Sequence, residues 1–221
     1  VFEDVTIIDG KGNAPQPRMY VVIHDSIIVH IGNMEKRLYG VSANVVNLRG
    51  KFLLPGLIDT HAHVTVLKTT PNGINTDEID TTVSLKSLRT LLQFGITAVR
   101  NPAGPQHAAV WLRDMVTTGK AIGPDIVTTG RALNSFGGGP FVKVVSGSDV
   151  EKEIDAQHLA GVDMIKVYAG LPPNLIQKAI EYAHAKGLKV IGHLQRTSWS
   201  QGAVYGIDFL THAAPWSPEY I

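Results

Sequence analysis

Cysteine is absent from this chain, which excludes a disulfide framework and any metal site built on thiolates while leaving the redox compartment open. No apolar run approaches the roughly 20 residues of a membrane-spanning helix, and the N-terminus lacks the charged-then-apolar order of a secretory signal. An excess of either charge is also missing: 20 basic and 19 acidic residues are interspersed, for a formal net charge of +1. The chain therefore carries no electrostatic footprint for nucleic acid or an anionic membrane, and a small molecule is the expected partner. The cytoplasm is favoured as its compartment. The chain opens on Val1, so any removed leader would not be seen.

What the chain does have is 44% hydrophobic residues, enough to bury a sizeable core. From Val1 to about Leu48, β-rich runs (Val5 to Ile8, Tyr20 to Ile23, Ile27 to Ile31, Asn44 to Leu48) alternate with turn residues such as Asp9-Gly10 and Gly32-Asn33. This predicts a small antiparallel sheet. After Phe52 the rhythm changes. Helical segments end at Gly95, Gly161, Gly187 and Gly206, each followed by a brief apolar strand with a polar end, a βα repeat with glycine at the left-handed position past a helix. Ser148-Asp149-Val150-Glu151 and Ser198-x-x-Gln201 read as capping boxes, and Pro172-Pro173 as a helix start. Six parallel strands are expected: Leu53 to His63, Ile96 to Asn101, Ile126 to Thr129, Val162 to Tyr168, Leu188 to His193 and Ile207 to His212.

The residues at the strand ends choose the architecture. His61, His63, Lys166, His193 and His212 sit at the C-terminal ends of four predicted strands, the face where a (β/α)₈ barrel gathers its active site. A doubly wound sheet would spread the same side chains along a line; a barrel brings them round one centre. His61 and His63, on one face of a strand by its period of two, can grip one metal ion with neutral nitrogens. Lys166 offers no lone pair as an ammonium. Burial at a strand end can lower its pKa, and the neutral amine can take up carbon dioxide as a carbamate, whose two oxygens suit a bridge between divalent cations. A single histidine at a strand end is more often a satisfied rim residue; the five together are harder to set aside. His24, His30, His107, His158 and His184 fall in the small sheet or on helices and are expected to face solvent.

These residues resemble the amidohydrolase superfamily, in which a metal-dependent hydrolase site sits in a distorted (β/α)₈ barrel beside a small β-sandwich. Pro55-Gly56-Leu57-Ile58-Asp59-Thr60-His61-Ala62-His63 is similar to its strand-1 signature. Asp163-Met164-Ile165-Lys166-Val167-Tyr168 is similar to the strand bearing the carboxylated lysine, and His193 and His212 match the ligands of strands 5 and 6. Thr128 to Asn134 and Gly137-Gly138-Gly139 resemble the branch of imidazolonepropionase-like proteins and metal-dependent Xaa-Pro dipeptidases. Gly139-Pro140 stands where the dipeptidase pattern has a histidine, so the substrate does not transfer. The resemblance implies residues 1–52 as part of the β-sandwich and 53–221 as barrel strands 1 to 6. It also implies a strand-8 aspartate as general base, expected beyond Ile221, because a complete barrel needs about 250 residues and only roughly 170 follow Phe52.

The expected activity is hydrolysis of a C–N bond in an amide or small peptide by two divalent metals, zinc being the expected ion. His61 and His63 would hold one, His193 and His212 the other, and the CO2-derived carbamate on Lys166 would bridge them. Tyr168, Arg131 and Asn134 are candidate substrate contacts. Two rivals stand beside this reading. One is a catalytically silent fragment or binding scaffold, expected to form a homo-oligomer or require a complementary C-terminal segment to cover exposed strand edges. The other is a barrel enzyme using Lys166 as a Schiff base.

Overall fold

The computed structural model describes residues 1–36, 39–40 and 42–212, which fall in two units, Val1–Gly56 and Leu57–Ile221. The first holds β1 (Phe2–Ile7), β2 (Gln16–His24), β3 (Ile27–Asn33), β4 (Val46–Asn47) and β5 (Phe52–Leu53). The wholly antiparallel sheet expected here is corrected: β1–β2 and β2–β3 are antiparallel, but β4 and β5 both join β1 in parallel. Nor does Gly32 mark a turn. It lies within β3, where the Tyr20 ring occupies the space a Cβ would need, at 2.6 Å.

The second unit begins with β6 (Leu57–Asp59) and a hairpin of β7 (Leu67–Thr70) and β8 (Gly73–Ile79). There follow α1 (Thr81–Gln93), β9 (Ile96–Asn101), α2 (Gln106–Thr117), β10 (Asp125–Thr128), β11 (Ala132–Asn134) and β12 (Phe141–Lys143). The remainder is α3 (Gly147–Ala160), β13 (Met164–Val167), α4 (Pro173–Ala185), β14 (Lys189–Gly192), α5 (Trp199–Val204) and β15 (Phe209–Leu210). One sheet runs β10-β9-β6 and another β12-β11-β13-β14-β15, every pairing parallel. A parallel bridge from Thr129 to Met164 carries the order from β10 to β13. The six expected strands are thus present, in sequence order, but among the described residues the sheet does not close.

Helices pack against the strands as the βα repeat requires. Ile154, Ile165, Val167, Ile176, Ile180 and Val190 form one core under α3 and α4, and Val64, Leu88, Val99, Leu112 and Ile126 a second under α1 and α2. Gly95, Gly161, Gly187 and Gly206 all take positive φ, from 75° to 87°, the conformation in which a Cβ would be strained. Ser198 and Gln201 make the expected capping box. The other box sits two residues earlier than expected: Ser146 caps α3, its hydroxyl accepting from the Asp149 N–H while the Asp149 carboxylate accepts from the N–H groups of Val145 and Ser146. Asp149 thereby takes the place assigned to Glu151, because the helix begins at Gly147 and puts Ser148 inside its first turn.

Two of the expected strands differ from the expectation in extent. The third strand continues past a break at Thr129–Arg131 into β11, which pairs with β13 through Leu133 and Val167. Gly130 fits the break because a Cβ there would meet the buried Gln157 side chain at 2.5 Å. The first strand is shorter than predicted. It stops at Asp59, whose carboxylate accepts from the His61 N–H at 2.9 Å and so turns the chain out of the ladder.

Candidate metal centre

His61 and His63 therefore stand beyond β6 rather than on it, and strand alternation is not what aims them. The Ala62 N–H donates to the Arg100 carbonyl at 3.0 Å, and the segment folds so that the two imidazoles meet edge to face, 5.2 Å between ring centroids. His212 closes the group from the other edge, its ring 4.7 Å from His61 and 4.5 Å from His193. It does so past the end of β15 at φ 70°, a left-handed conformation that costs a non-glycine residue energy and is held where the surroundings over-determine it. Lys166, on β13, is buried beside them and donates from Nζ to the Thr211 hydroxyl at 3.2 Å.

These five side chains, with Ala103, Ala132, Phe141 and Tyr168, line a cavity of about 210 Å³ at the C-terminal ends of the strands. Tyr168 packs between His193 and Phe141, each at 4.6 Å between ring centroids. Arg131 and Asn134 are not brought to it. The Arg131 guanidinium is tied to Asp77 and the Thr76 carbonyl on β8. The Asn134 carboxamide is buried and accepts from the N–H groups of Ser135 and Gly170. Of the histidines expected to face solvent, all five are exposed, and His184 also meets Asp208 at 2.8 Å.

Electrostatics keeps the centre short of protons. Burial, then the charge of Arg100, lowers Lys166 from 10.5 to about 7. Burial, then Lys166 and the neighbouring imidazoles, lowers His61 to about 4, and burial with His212 and Lys166 lowers His193 likewise. His63 moves in the same direction, chiefly by burial. Near neutral pH these rings are uncharged and present lone pairs.

Among the described residues, no three His, Cys, Asp or Glu side chains converge closely enough to enclose an ion as they stand. The donor set nonetheless fits a divalent cation. His61 Nδ1 is buried without a hydrogen-bond partner, a cost that a metal bond would remove. Sequence reasoning assigned no role to Phe141, which the β11–β12 pairing brings in, or to Arg100 and Asn101. The last two carried a usable signal, since they close β9 at the C-terminal end of the sheet, where the candidate ligands lie.

No protein-family model matches the chain. An imidazolonepropionase of Fusobacterium nucleatum subsp. nucleatum is 28% identical over 135 residues, which cover 47% of this chain and 30% of that protein. Among solved structures, a Xaa-Pro dipeptidase with methionine bound in its active site superposes with a TM-score of 0.79 at 20% identity, over 96% of this chain and 61% of that one. A protein described as an amidohydrolase gives the same TM-score at 19% identity, over 96% and 60%. The chain thus spans under two thirds of the length of each of these three proteins.

Proposed function

We propose that this chain, an amidohydrolase-superfamily protein by its sequence and fold, carries most of the metal site of a hydrolase that cleaves C–N bonds in amides or small peptides. The observation that carries the reading is the meeting of four imidazoles and a buried lysine from four separate strand ends in one cavity. Their parallel strands are read as the first six of a (β/α)₈ barrel.

In this reading His61, His63, His193 and His212 would hold divalent metal, with Lys166, once carboxylated, as a further ligand. Bound there, zinc or a similar ion supplies Lewis acidity, making water a nucleophile near neutral pH and polarising a carbonyl. The protein's part is to keep the His61, His63 and His193 imidazoles neutral, to hold Lys166 uncharged long enough to take up carbon dioxide, and to shape the cavity. Phe141 and Tyr168 give that cavity an aromatic wall, and the Tyr168 hydroxyl is the candidate contact for a substrate carbonyl oxygen. No carboxylate lines the cavity among the described residues, so the strand-8 aspartate implied by the resemblance stays the expected proton acceptor. Arg131 and Asn134 act at one remove, holding the β7–β8 hairpin and the loop after Tyr168.

The test is hydrolysis of N-acyl amino acids and dipeptides by the full-length protein. Activity that disappears with a chelator and returns with zinc supports the reading; chelator-insensitive hydrolysis contradicts it. The lowered pKa of Lys166 also favours a Schiff-base role. Borohydride trapping of a carbonyl substrate on Lys166 would select that rival.

A further inference from the structure

Just past His63 the chain is gripped from the side. The Val64 N–H donates to the Asn101 carboxamide oxygen at 3.2 Å, and the Asn101 Nδ2 donates to the Thr65 hydroxyl at 3.2 Å and the Thr128 hydroxyl at 3.0 Å. The Thr65 hydroxyl donates onward to the Ala103 carbonyl at 3.1 Å. Ala103 also lines the cavity beside the His63 imidazole, and its backbone opposes the lowering of that ring's pKa. Asn101 and Thr128 are fully buried and Thr65 nearly so.

An amide here is an expensive choice. Val99, two residues earlier on β9, packs into the apolar core, and a leucine or valine at 101 would extend that packing without polar atoms to satisfy. A buried polar cluster contributes little net stability beyond apolar packing, but when fully satisfied it fixes one geometry. Here both carboxamide atoms are used, joining the chain after His63 to β10, and the Thr65 hydroxyl carries the cluster on to the loop after β9. The next residue along is adapted to the cluster. A Cβ on Gly104 would come within 2.3 Å of the Thr65 hydroxyl oxygen, so only glycine leaves that hydroxyl its place.

We infer that Asn101 and Thr65 are positioning residues which set the register of the His61–His63 segment and hold the Ala103 backbone beside the His63 ring. The purpose of such a device rests on the metal reading above, since supports behind a ligand are what aim it. The geometry itself does not need a metal.

Thr65→Val removes the hydroxyl beside His63, whereas Thr128→Val removes the matching hydroxyl on the far arm of the same cluster. Both leave Asn101 one acceptor short and should lower the melting temperature alike. Only Thr65→Val should act on the histidine. In the metal-free full-length protein, imidazole 15N NMR should show His63 passing from one tautomer to a mixture, and cobalt(II) affinity should fall about 10-fold to 100-fold. Thr65→Ser should restore both readouts. Should Thr65→Val fail to fold, Gly104→Ala, which displaces the hydroxyl without deleting it, is expected to give the same tautomer change. Unchanged tautomer and affinity in the variant that folds, or equal changes in Thr128→Val, would overturn the assignment. Failure of the wild type to bind cobalt would instead refute the metal reading, while the tautomer comparison would still decide this one.

Discussion

Lys166 Nζ reaches the Thr211 hydroxyl at 3.2 Å, and that hydroxyl donates in turn to the Gly192 carbonyl at 3.0 Å. A neutral hydroxyl does little to offset the burial of an ammonium, so Lys166 is held down at about 7, where both protonation states are populated at physiological pH. Carbamate can form only from the neutral amine. Bicarbonate-dependent metal uptake is therefore expected to rise with pH through about 7 and to fall away below it. Metal binding at fixed bicarbonate from pH 6 to 8 checks this, with 13C-labelled bicarbonate reporting the carbamate carbon by NMR.

The same burial makes Lys166 a burden on the metal-free fold. Its folded pKa lies below its unfolded value of 10.5, so folding forfeits a proton over the whole range from there down to about 7. Each pH unit of that range is about 1.4 kcal/mol. Lys166→Met, similar in length and apolar, is expected to raise the unfolding free energy of the metal-free protein at pH 7 by a few kcal/mol while abolishing activity. Urea unfolding checks the first half; a loss of stability in the variant would count against it.

His61 and His193 carry a related signature. Both are lowered from 6.5 to about 4, so the unfolded chain takes up protons first as pH falls. Stability is fully present above pH 6.5 and is lost as the pH drops toward 4. The urea midpoint of the metal-free protein should decline across that window, and His61→Asn should make the decline shallower. A midpoint flat from pH 7 to 4 would show that these rings ionise freely.

Tyr168 separates packing from chemistry. Its ring stacks on His193 and Phe141, and its hydroxyl is the candidate substrate contact. Tyr168→Phe keeps the stack and removes the oxygen, so metal content should hold while kcat/KM falls about 10-fold to 100-fold, one or two multiples of 1.36 kcal/mol. Unchanged kcat/KM would leave Tyr168 a wall residue.

Away from the cavity, Asp163 joins three segments. Its carboxylate accepts from Arg113 Nη1 and from the Thr128 N–H, both at 2.8 Å, and Arg113 also reaches the Gly161 carbonyl at 2.8 Å. Asp163→Ala should cost about 1 to 3 kcal/mol by stranding these donors. Metal stoichiometry should stay the same, which atomic emission can verify beside a denaturation curve.

Much of this was legible before the structure because it depends on local chemistry. A glycine at the left-handed end of a helix, a proline pair opening α4 and a polar residue closing each strand are constraints read from neighbours in the chain. They put His61, His63, Lys166, His193 and His212 at strand ends, and the structure brings the five to one cavity. The details that failed depend on what arrives from afar. Strand alternation did not aim His61 and His63, because Asp59 ends the ladder by bonding the His61 N–H. Phe141 was invisible because the pairing of β11 with β12 joins residues across a glycine-rich loop with no periodic signal. Asn101 was read as the polar end of a strand, although its side chain joins the segment after His63 to β10, two segments whose proximity only the fold creates.

The central claim is that five side chains of this chain surround metal, and anomalous scattering from a crystal of the full-length protein grown with zinc tests it most directly. Data at the zinc edge should show about two sites in the cavity, one against His61 and His63 and one against His193 and His212, with density for a carbamate on Lys166 between them. A cavity without anomalous signal, or zinc bound only elsewhere on the protein, would contradict the account.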